Sequence, residues 1–187
     1  MLWTSLAAAL LTQAGDTITY RVSLPAPQTQ MVEMSMVVPA NDVETLDLHL
    51  PVWRPGRYVV LDHAGTLREM MAEDQDGRPL EVRKRRKSHW KVETDGAETV
   101  RISWRIYANS LRDRTRHVDD SHAFLSPSSS FLYSEAHRDA RIRVELDLPD
   151  GWDIACGMAF ENGSDTVLVA DDYDVLVDSP IEVGLHD

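Results

Sequence analysis

The sequence predicts an all-β domain: an antiparallel β-sandwich of many short strands with at most one or two short helices. Apolar and polar residues alternate in short runs, which is typical of half-buried strands. Prolines, glycines and Asp-Gly or Asn-Gly pairs separate these runs, as turns do. The chain has 187 residues, of which 43% are hydrophobic, so it is large enough for one domain with a real core.

The first half of the chain contains alternating runs that each end at a turn signal. The predicted strands are 17–24, 32–38, 46–50, 67–73, 88–94 and 100–107. For 67–73, a helix is the weaker alternative. The segment 51–65 contains two prolines and a glycine beside Trp53, which favours a turn and an irregular crossing.

The second half begins with a polar stretch and then returns to the strand pattern. Further strands are predicted at 141–148, 152–158, 166–170 and 181–184, and a short helix at 172–178. Neither an internal repeat nor a linker interrupts the chain. We therefore predict a single β-rich domain over residues 15–187.

Charge excludes one class of partner. The formal net charge is −12, with 31 acidic and 19 basic residues, so the long-range field repels nucleic acid and anionic membranes. The basic run 83–87 is better explained as a solvated strand edge that discourages association between sheets. We predict no nucleic-acid partner.

The first residues form a short apolar run that ends in small residues. Residues 1–14 are predicted to be a signal peptide, which is too short for an ordinary membrane span; a buried first strand or helix is the alternative. Export to the periplasm or the medium follows from the first interpretation. Cys156 is the sole cysteine, so the chain has no internal disulfide.

Short catalytic signatures are absent from the sequence. It contains no H-E-x-x-H, P-loop, G-x-G-x-x-G or G-x-S-x-G motif. His117, Asp119, Asp120 and His122 offer ligand types for a transition metal, and in an extended segment His117 and Asp119 point the same way. The favoured interpretation is a solvated loop whose acids pair with nearby arginines, because no third ligand group is evident. Those arginines are Arg112, Arg114 and Arg116.

Four tryptophans raise the question of a sugar-stacking platform. Trp90, Trp104 and Trp152 fall in predicted strands and are expected in the core, whereas Trp53 lies in the irregular segment.

A longer pattern is similar to a known family. The segment PVWRPGRYVVLDHAG at 51–65 resembles the P-V-W-x-P-G-S-Y-x-x-x-D-x-A stretch of the glycyl aminopeptidase family, metallopeptidase family 61 of the gluzincin clan. The resemblance continues in order through DQDGRPL, the Trp90 strand, WRIYANSLRDRTRHVDDSHAFLSPSSSFLY, LDLPDGW and YDVLVDSPIEVG. Two details differ, since Arg57 replaces a residue that is often small and SPSSS replaces an F-N-G-type turn.

The resemblance covers only the amino-terminal β-rich domain of that family. It implies that peptidase activity, H-E-x-x-H and the zinc ion belong to the following helical domain of a longer parent, often with a PDZ-like domain after it. For this chain it implies no cofactor and no catalytic or metal residue. The expected partners are the catalytic domain and the amino terminus of a peptide substrate.

By analogy with related gluzincins, the domain walls the substrate cleft and holds the substrate's α-amine, which calls for carboxylates or carbonyls at short range. On this chemistry, Asp119, Asp120 and Glu135 are the substrate-binding candidates, with Asn109 and Tyr133 as neighbours.

The sequence is compatible with two other functions. The chain is alternatively a stand-alone β-sandwich module that binds peptide or glycan; a stop codon after Asp187 favours the module, and continuation into H-E-x-x-H favours the peptidase. The least favoured hypothesis is a small metal-dependent hydrolase that uses His117, Asp119 and His122.

Overall fold

A computed structural model of the chain describes residues 17–41, 43–53, 59–112 and 115–185. The predicted signal peptide at 1–14, Arg57 and Arg114 lie outside the described residues. Within the described part, no helix has both the length and the apolar character that a membrane crossing requires.

The described residues are mostly strand, and the strands form three sheets. In chain order they are β1 (Ile18–Ser23), β2 (Met31–Pro39), β3 (Thr45–His49), β4 (Leu67–Asp74), β5 (Pro79–Leu80), β6 (Val82–Arg86), β7 (His89–Glu93), β8 (Thr99–Tyr107), β9 (Asn109–Ser110), β10 (Arg116–Val118), β11 (His122–Leu125), β12 (Ile142–Asp147), β13 (Asp153–Cys156), β14 (Ala159–Phe160), β15 (Val167–Ala170) and β16 (Ile181–Gly184). The eight-stranded sheet has the order β14-β15-β12-β1-β2-β8-β4-β5, the five-stranded sheet β13-β16-β11-β10-β9 and the three-stranded sheet β3-β7-β6.

Short helices connect the strands. They are α1 (Pro127–Ser130), α2 (Tyr173–Val177) and the 3-10 helices Pro27–Thr29, His63–Thr66 and Glu135–His137. Helix α2 lies within the predicted 172–178, and Asp172 caps it by accepting a hydrogen bond from the Val175 N–H at 2.8 Å. Helix α1 was not predicted; it begins at Pro127, whose fixed φ suits the first helical position.

The predicted all-β antiparallel architecture is confirmed, with one exception in the large sheet. Strand β1 pairs with β12 in parallel, with Ile18 opposite Ile142. More than a hundred residues separate the two strands, which is far more chain than a parallel crossover needs. The alternating pattern specifies the buried face of each strand but not the direction of its neighbour.

The large sheet separates apolar from charged residues on its two faces. Its inner face carries the alternating residues of β8 that the sequence predicted to be buried, Val100, Ile102, Trp104 and Ile106. On the outer face, charged residues pair across strands: Arg21 with Asp147 at 2.9 Å, Arg105 with Glu33 at 2.5 Å and Arg101 with Glu73 at 3.4 Å. Each of these three arginines therefore has an acidic partner on a neighbouring strand.

The basic run lies where the sequence predicted it, on a sheet edge. Strand β6 is the edge of the three-stranded sheet, and residues 83–87 are exposed. Arg83 pairs with Glu81 at 2.6 Å and Lys87 with Asp62 at 3.0 Å, while the Lys84 ammonium lies 5.1 Å from the Trp90 ring centroid. The run therefore forms local ion pairs and a cation-π contact.

The predicted burial of the strand tryptophans is confirmed in the described structure. Trp90 and Trp104 are buried, and Trp152 is partly buried against the core. Trp53 differs, since 53% of its surface is exposed.

A tight turn connects β7 of the three-stranded sheet to β8 of the eight-stranded sheet. Asp95 and Gly96 have φ values of 50° and 78°, and the Ala97 N–H donates to the Thr94 carbonyl at 2.9 Å. Two consecutive positive φ values are the signature of a type I′ hairpin turn, which favours Asp-Gly. A Cβ at Gly96 meets no atom within 4 Å, so any cost of a side chain there comes from the backbone alone.

We predict that Gly96→Ala lowers the free energy of unfolding by about 1 kcal/mol, because alanine is strained at positive φ. Gly157→Ala is the matched control, since a Cβ there also meets no atom and its φ lies outside the left-handed region. Urea denaturation of both variants measures the difference. Equal losses in the two variants would show that the turn conformation does not constrain residue 96.

Candidate functional site

The main candidate site is a groove that we call the aromatic groove. Its volume is about 460 Å³. It is lined by the segment after β3, by helices α1 and α2, and by the chain between them. The lining residues are Pro51, Val52, Trp53, Ser128, Tyr133, Arg138, Tyr173, Val177 and Asp178.

Tyr133 is the centre of this groove. Its backbone forms an isolated bridge with His49, with N–H to carbonyl distances of 2.7 and 2.9 Å. Its ring stacks on Tyr173 with a centroid distance of 4.7 Å and lies 5.6 Å from the His49 ring, which stacks on His89 at 4.4 Å. These contacts hold the phenol ring in one orientation.

Charged groups surround the Tyr133 phenol. The Arg138 guanidinium lies 5.8 Å from the ring centroid and pairs with Asp174 at 2.7 Å and Glu135 at 3.5 Å. Burial raises the pKa of the Tyr133 phenol, and the negative charge of Glu135 raises it further. Burial also raises the pKa of Tyr173, whose hydroxyl donates to the Phe131 carbonyl at 2.9 Å. Both phenols are therefore protonated at neutral pH and act as hydrogen-bond donors.

Exposed apolar residues lie on the segment that lines the aromatic groove and on the segment hydrogen-bonded to it. Trp53, Val59 and Val60 are 53%, 51% and 79% exposed. The Leu61 N–H donates to the Val52 carbonyl at 2.7 Å, which brings the chain at 59–61 next to the chain at 51–53. We call Val52, Trp53, Val59 and Val60 the apolar edge of the groove. Apolar side chains grouped in this way mark interaction surfaces more often than isolated ones do.

A second site lies where β10 and β11 meet, and we call it the His–Asp cluster: His117, Asp119 and His122. The His117 Nε2 is 2.9 Å from Asp119 Oδ2, and the His122 Nδ1 is 3.4 Å from Asp119 Oδ1. Asp119 Oδ1 also accepts from the Ser121 N–H at 2.8 Å, the Ser121 hydroxyl at 2.7 Å and the His122 N–H at 3.1 Å. The hydrogen bond with His117, followed by those from Ser121, holds the pKa of Asp119 well below its usual range.

For Asp119 and Arg116, the structure corrects the interpretation that the acids of the loop pair with nearby arginines. Asp119 pairs with the two imidazoles, and the buried Arg116 donates to two carbonyls and to the Thr66 hydroxyl. The sequence also led us to expect no third metal-ligand group beside His117 and Asp119. That expectation was wrong, because ligand atoms of His117, Asp119 and His122 lie within 4.8 Å of one another. The turn between β10 and β11 folds His122 back onto Asp119, which an extended segment does not allow.

Arg116 connects the two sites. It is 4% exposed, and its guanidinium donates to the Ser129 carbonyl at 2.6 Å, to the His63 carbonyl at 2.9 Å and to the Thr66 hydroxyl. Burial lowers the pKa of Arg116 to about 10, so the side chain stays charged at neutral pH. A buried charge of this kind is tolerated because oxygen acceptors satisfy the two terminal nitrogens, although the buried Nε has no partner among the described residues.

The five predicted substrate-binding residues do not form one cluster. Tyr133 lines the aromatic groove, and exposed Glu135 begins the neighbouring 3-10 helix. Asp119 belongs to the His–Asp cluster, and Asp120 is exposed in the turn beside it. Asn109 is exposed on β9, opposite His117 in the ladder. A role in substrate binding stays a prediction for each of the five.

Sequence reasoning missed several groove residues. Arg138 and Tyr173 join the groove through contacts with Tyr133, which lies 5 and 40 residues away in the chain. The one feature of the sequence that indicated this groove was Trp53, because this tryptophan lies between two prolines and not in an alternating strand.

Comparison with known proteins gives two kinds of similarity. A family model described as the peptidase M61 N-terminal domain matches residues 19–185. None of the curated proteins matches the chain.

Among solved structures, the chain is similar to an aminopeptidase N family protein from Idiomarina loihiensis. The TM-score is 0.82 at 26% identity, over 89% of this chain and 29% of that chain. It also shares the fold of part of an M1 zinc metallopeptidase from Deinococcus radiodurans, with a TM-score of 0.50 at 11% identity over 91% of this chain and 42% of that chain. The chain thus spans less than half of either relative.

We predict that Arg116→Met lowers the free energy of unfolding by roughly 2–4 kcal/mol, because it removes charged hydrogen bonds and takes the guanidinium donor from the buried Ser129 carbonyl. Arg83→Met is the control, since Arg83 forms an exposed ion pair and its loss should leave stability nearly unchanged. Guanidinium denaturation followed by circular dichroism measures both. A small effect of Arg116→Met would mean that the buried guanidinium does not hold these elements together.

Proposed function

Because the chain belongs to the family of peptidase M61 N-terminal domains, we propose that it is the non-catalytic β-domain of an exported, aminopeptidase-like zinc metallopeptidase. In this role it packs on a catalytic domain and walls one side of the substrate cleft. The zinc ion and the bond-breaking groups belong to that catalytic domain, since H-E-x-x-H does not occur in these 187 residues.

The relatives support a partner domain. This chain matches 29% of the Idiomarina protein and 42% of the Deinococcus enzyme, so each relative carries more chain than the β-domain itself. A domain that evolved beside a larger neighbour needs a surface for it, and such surfaces are richer in apolar side chains than the rest of the exterior.

The apolar edge of the aromatic groove is the observation that carries this proposal. Trp53, Val59 and Val60 are large or β-branched, and all are more than half exposed. On the outer face of the large sheet, by contrast, Arg21, Arg101 and Arg105 form ion pairs with acids. We therefore assign the contact with the catalytic domain to the groove side of the molecule, and the charged face of the large sheet to solvent.

The groove also suits the amino terminus of a peptide. Its α-ammonium group needs a carboxylate at short range, and Glu135 is an exposed carboxylate beside the Tyr133 ring. The Tyr133 ring, which stacks on Tyr173, adds apolar surface beside this carboxylate. Among the five predicted residues, Glu135 and Tyr133 are the two at the groove: exposed Glu135 has one ion pair there, with Arg138 at 3.5 Å, whereas Asp119 is engaged by two histidines and Ser121.

The same groove supports a second candidate function, a stand-alone module that binds peptide or glycan. Aromatic rings such as Trp53 and Tyr133 serve in both roles. The two functions differ in what covers the groove: a ligand alone for the module, or a protein domain with a substrate beneath it for the peptidase.

We predict that an apolar fluorescent dye binds the 187-residue chain at the apolar edge. Trp53→Ser with Val60→Ser should remove most of the dye signal, whereas Phe160→Ser should not, although Phe160 is also exposed, at the edge strand β14. Fluorescence titration measures the difference.

The part of the Idiomarina relative outside the matching segment should displace the dye, because the proposed interface covers the same edge. Two results would contradict the assignment of this edge to domain contact. One is equal dye binding by the parent chain, the Trp53→Ser, Val60→Ser double variant and Phe160→Ser. The other is dye that the catalytic part of the relative does not displace. Displacement by peptide or glycan alone would favour the binding module.

A further inference from the structure

The His–Asp cluster brings three metal-ligand groups to one point on the five-stranded sheet. One nitrogen from each of His117 and His122 and one carboxylate oxygen of Asp119 lie within 4.8 Å of one another. All three side chains are partly buried, so water still reaches the point between them. This arrangement plays no part in the function proposed above.

The distances fit a small divalent ion. A tetrahedral ion with ligands at 2.0–2.2 Å holds neighbouring ligand atoms about 3.3 Å apart. His117 Nε2 lies 2.9 Å from Asp119 Oδ2, and His122 Nδ1 lies 3.4 Å from Asp119 Oδ1, so each imidazole is near that separation from one carboxylate oxygen. Binding of an ion requires side-chain rotations that bring all three ligand atoms, which now lie within 4.8 Å of one another, to about 3.3 Å.

The carboxylate is already fixed in place. Asp119 Oδ1 accepts three hydrogen bonds, two from Ser121 and one from the His122 N–H, which leave Oδ2 directed at His117. The turn itself is closed by the Asp119 N–H, which donates to the His122 carbonyl at 3.0 Å. A ligand held in this way loses little conformational entropy when it binds an ion.

One of the two histidines has a carboxylate on its far side. The Nε2 of His122, opposite the nitrogen that faces Asp119, lies 4.0 Å from Glu182 Oε1 on β16. Metal-ligating histidines commonly present their second nitrogen to a carboxylate in this way. Gly184 allows the close approach, since a Cβ there would lie 2.7 Å from the His122 Cβ.

The second ring nitrogen of His117 is not used in the cluster. Its Nδ1 is buried and has no hydrogen-bond partner among the described residues. Hydrogen bonding within the cluster therefore uses only one of the two ring nitrogens.

We infer that the His–Asp cluster binds one divalent transition-metal ion, with Zn²⁺ as the best match. Two imidazoles and one carboxylate suit Zn²⁺, Co²⁺, Ni²⁺ and Cu²⁺, whereas Mg²⁺ and Ca²⁺ prefer an all-oxygen set. Three protein ligands leave an outward coordination position for water or for a donor from a neighbouring domain. The inference departs from the sequence-based expectation of no metal in this chain, because the turn supplies the third ligand.

The test is calorimetric titration of Zn²⁺ into the untagged 187-residue chain after removal of metals by chelation. We expect saturable binding of one ion per chain. His117→Ala and His122→Ala should each weaken the affinity by at least about tenfold, and Glu182→Gln should weaken it less. Circular dichroism of each variant checks that the fold is retained; should His117→Ala not fold, the more exposed His122→Gln replaces it.

His89→Ala is the matched control, because His89 also lies beside a second histidine, His49, and an acid, Asp47. It should bind Zn²⁺ as the parent chain does. Co²⁺ added to the parent chain should give the intense visible absorption of a low-coordinate site, and His122→Ala should abolish it.

No saturable Zn²⁺ binding would overturn the inference. Binding that survives in the doubly substituted His117→Ala, His122→Ala chain, or that disappears in His89→Ala, would overturn it as well, since the ion would then lie elsewhere. None of these outcomes depends on peptidase activity or on a catalytic domain, so the result is independent of the proposed function.

Discussion

Both candidate sites of this domain depend on the buried guanidinium of Arg116. It belongs to β10, and it donates to carbonyls of helix α1 and of the 3-10 helix His63–Thr66. A charge that is 4% exposed cannot be left without acceptors, so these three elements must stay together whenever the domain is folded. Ser128 of α1 lines the aromatic groove, and β10 carries His117, so one side chain positions both sites.

Two buried phenols attach the floor of the groove to the rest of the core. The Tyr20 hydroxyl, from β1 in the large sheet, donates to the Leu132 carbonyl at 2.6 Å, and its ring packs edge-on against Phe131. The Tyr173 hydroxyl donates to the Phe131 carbonyl from α2. The segment that presents Tyr133 is therefore fixed from the large sheet and from α2. A rigid segment of this kind is what a cleft wall requires, since a substrate is positioned only as well as the groups that contact it.

The sequence predicted most of the strands because each carries its own signal, the alternation of buried and exposed residues. Helix α2 and the edge position of the basic run were predictable for the same reason, since a capping aspartate and a row of like charges are local features. The parallel pairing of β1 with β12 is not local, because nothing within Ile18–Ser23 specifies its partner.

The candidate sites also depend on contacts between residues that are distant in the chain, which local sequence patterns do not reveal. Arg116 follows other arginines in a polar stretch and so resembles a solvent-exposed residue; its burial depends on carbonyls 13 and 53 residues away. The members of the His–Asp cluster were identifiable by residue type, but their grouping depends on a turn that folds His122 back onto Asp119. Family resemblance predicted the domain type correctly, and the M61 family match at 19–185 confirms it. Resemblance did not specify which of five polar residues share a surface.

We propose that this domain holds and positions a substrate but does not cleave it. Incubation of the purified 187-residue chain with Zn²⁺ and chromogenic aminoacyl anilides tests that claim directly. We expect no release of chromophore above the rate of the zinc buffer alone, even when the metal is bound. Turnover that a chelator abolishes, and that disappears in His117→Ala or His122→Ala, would contradict it and would make this chain a hydrolase in its own right.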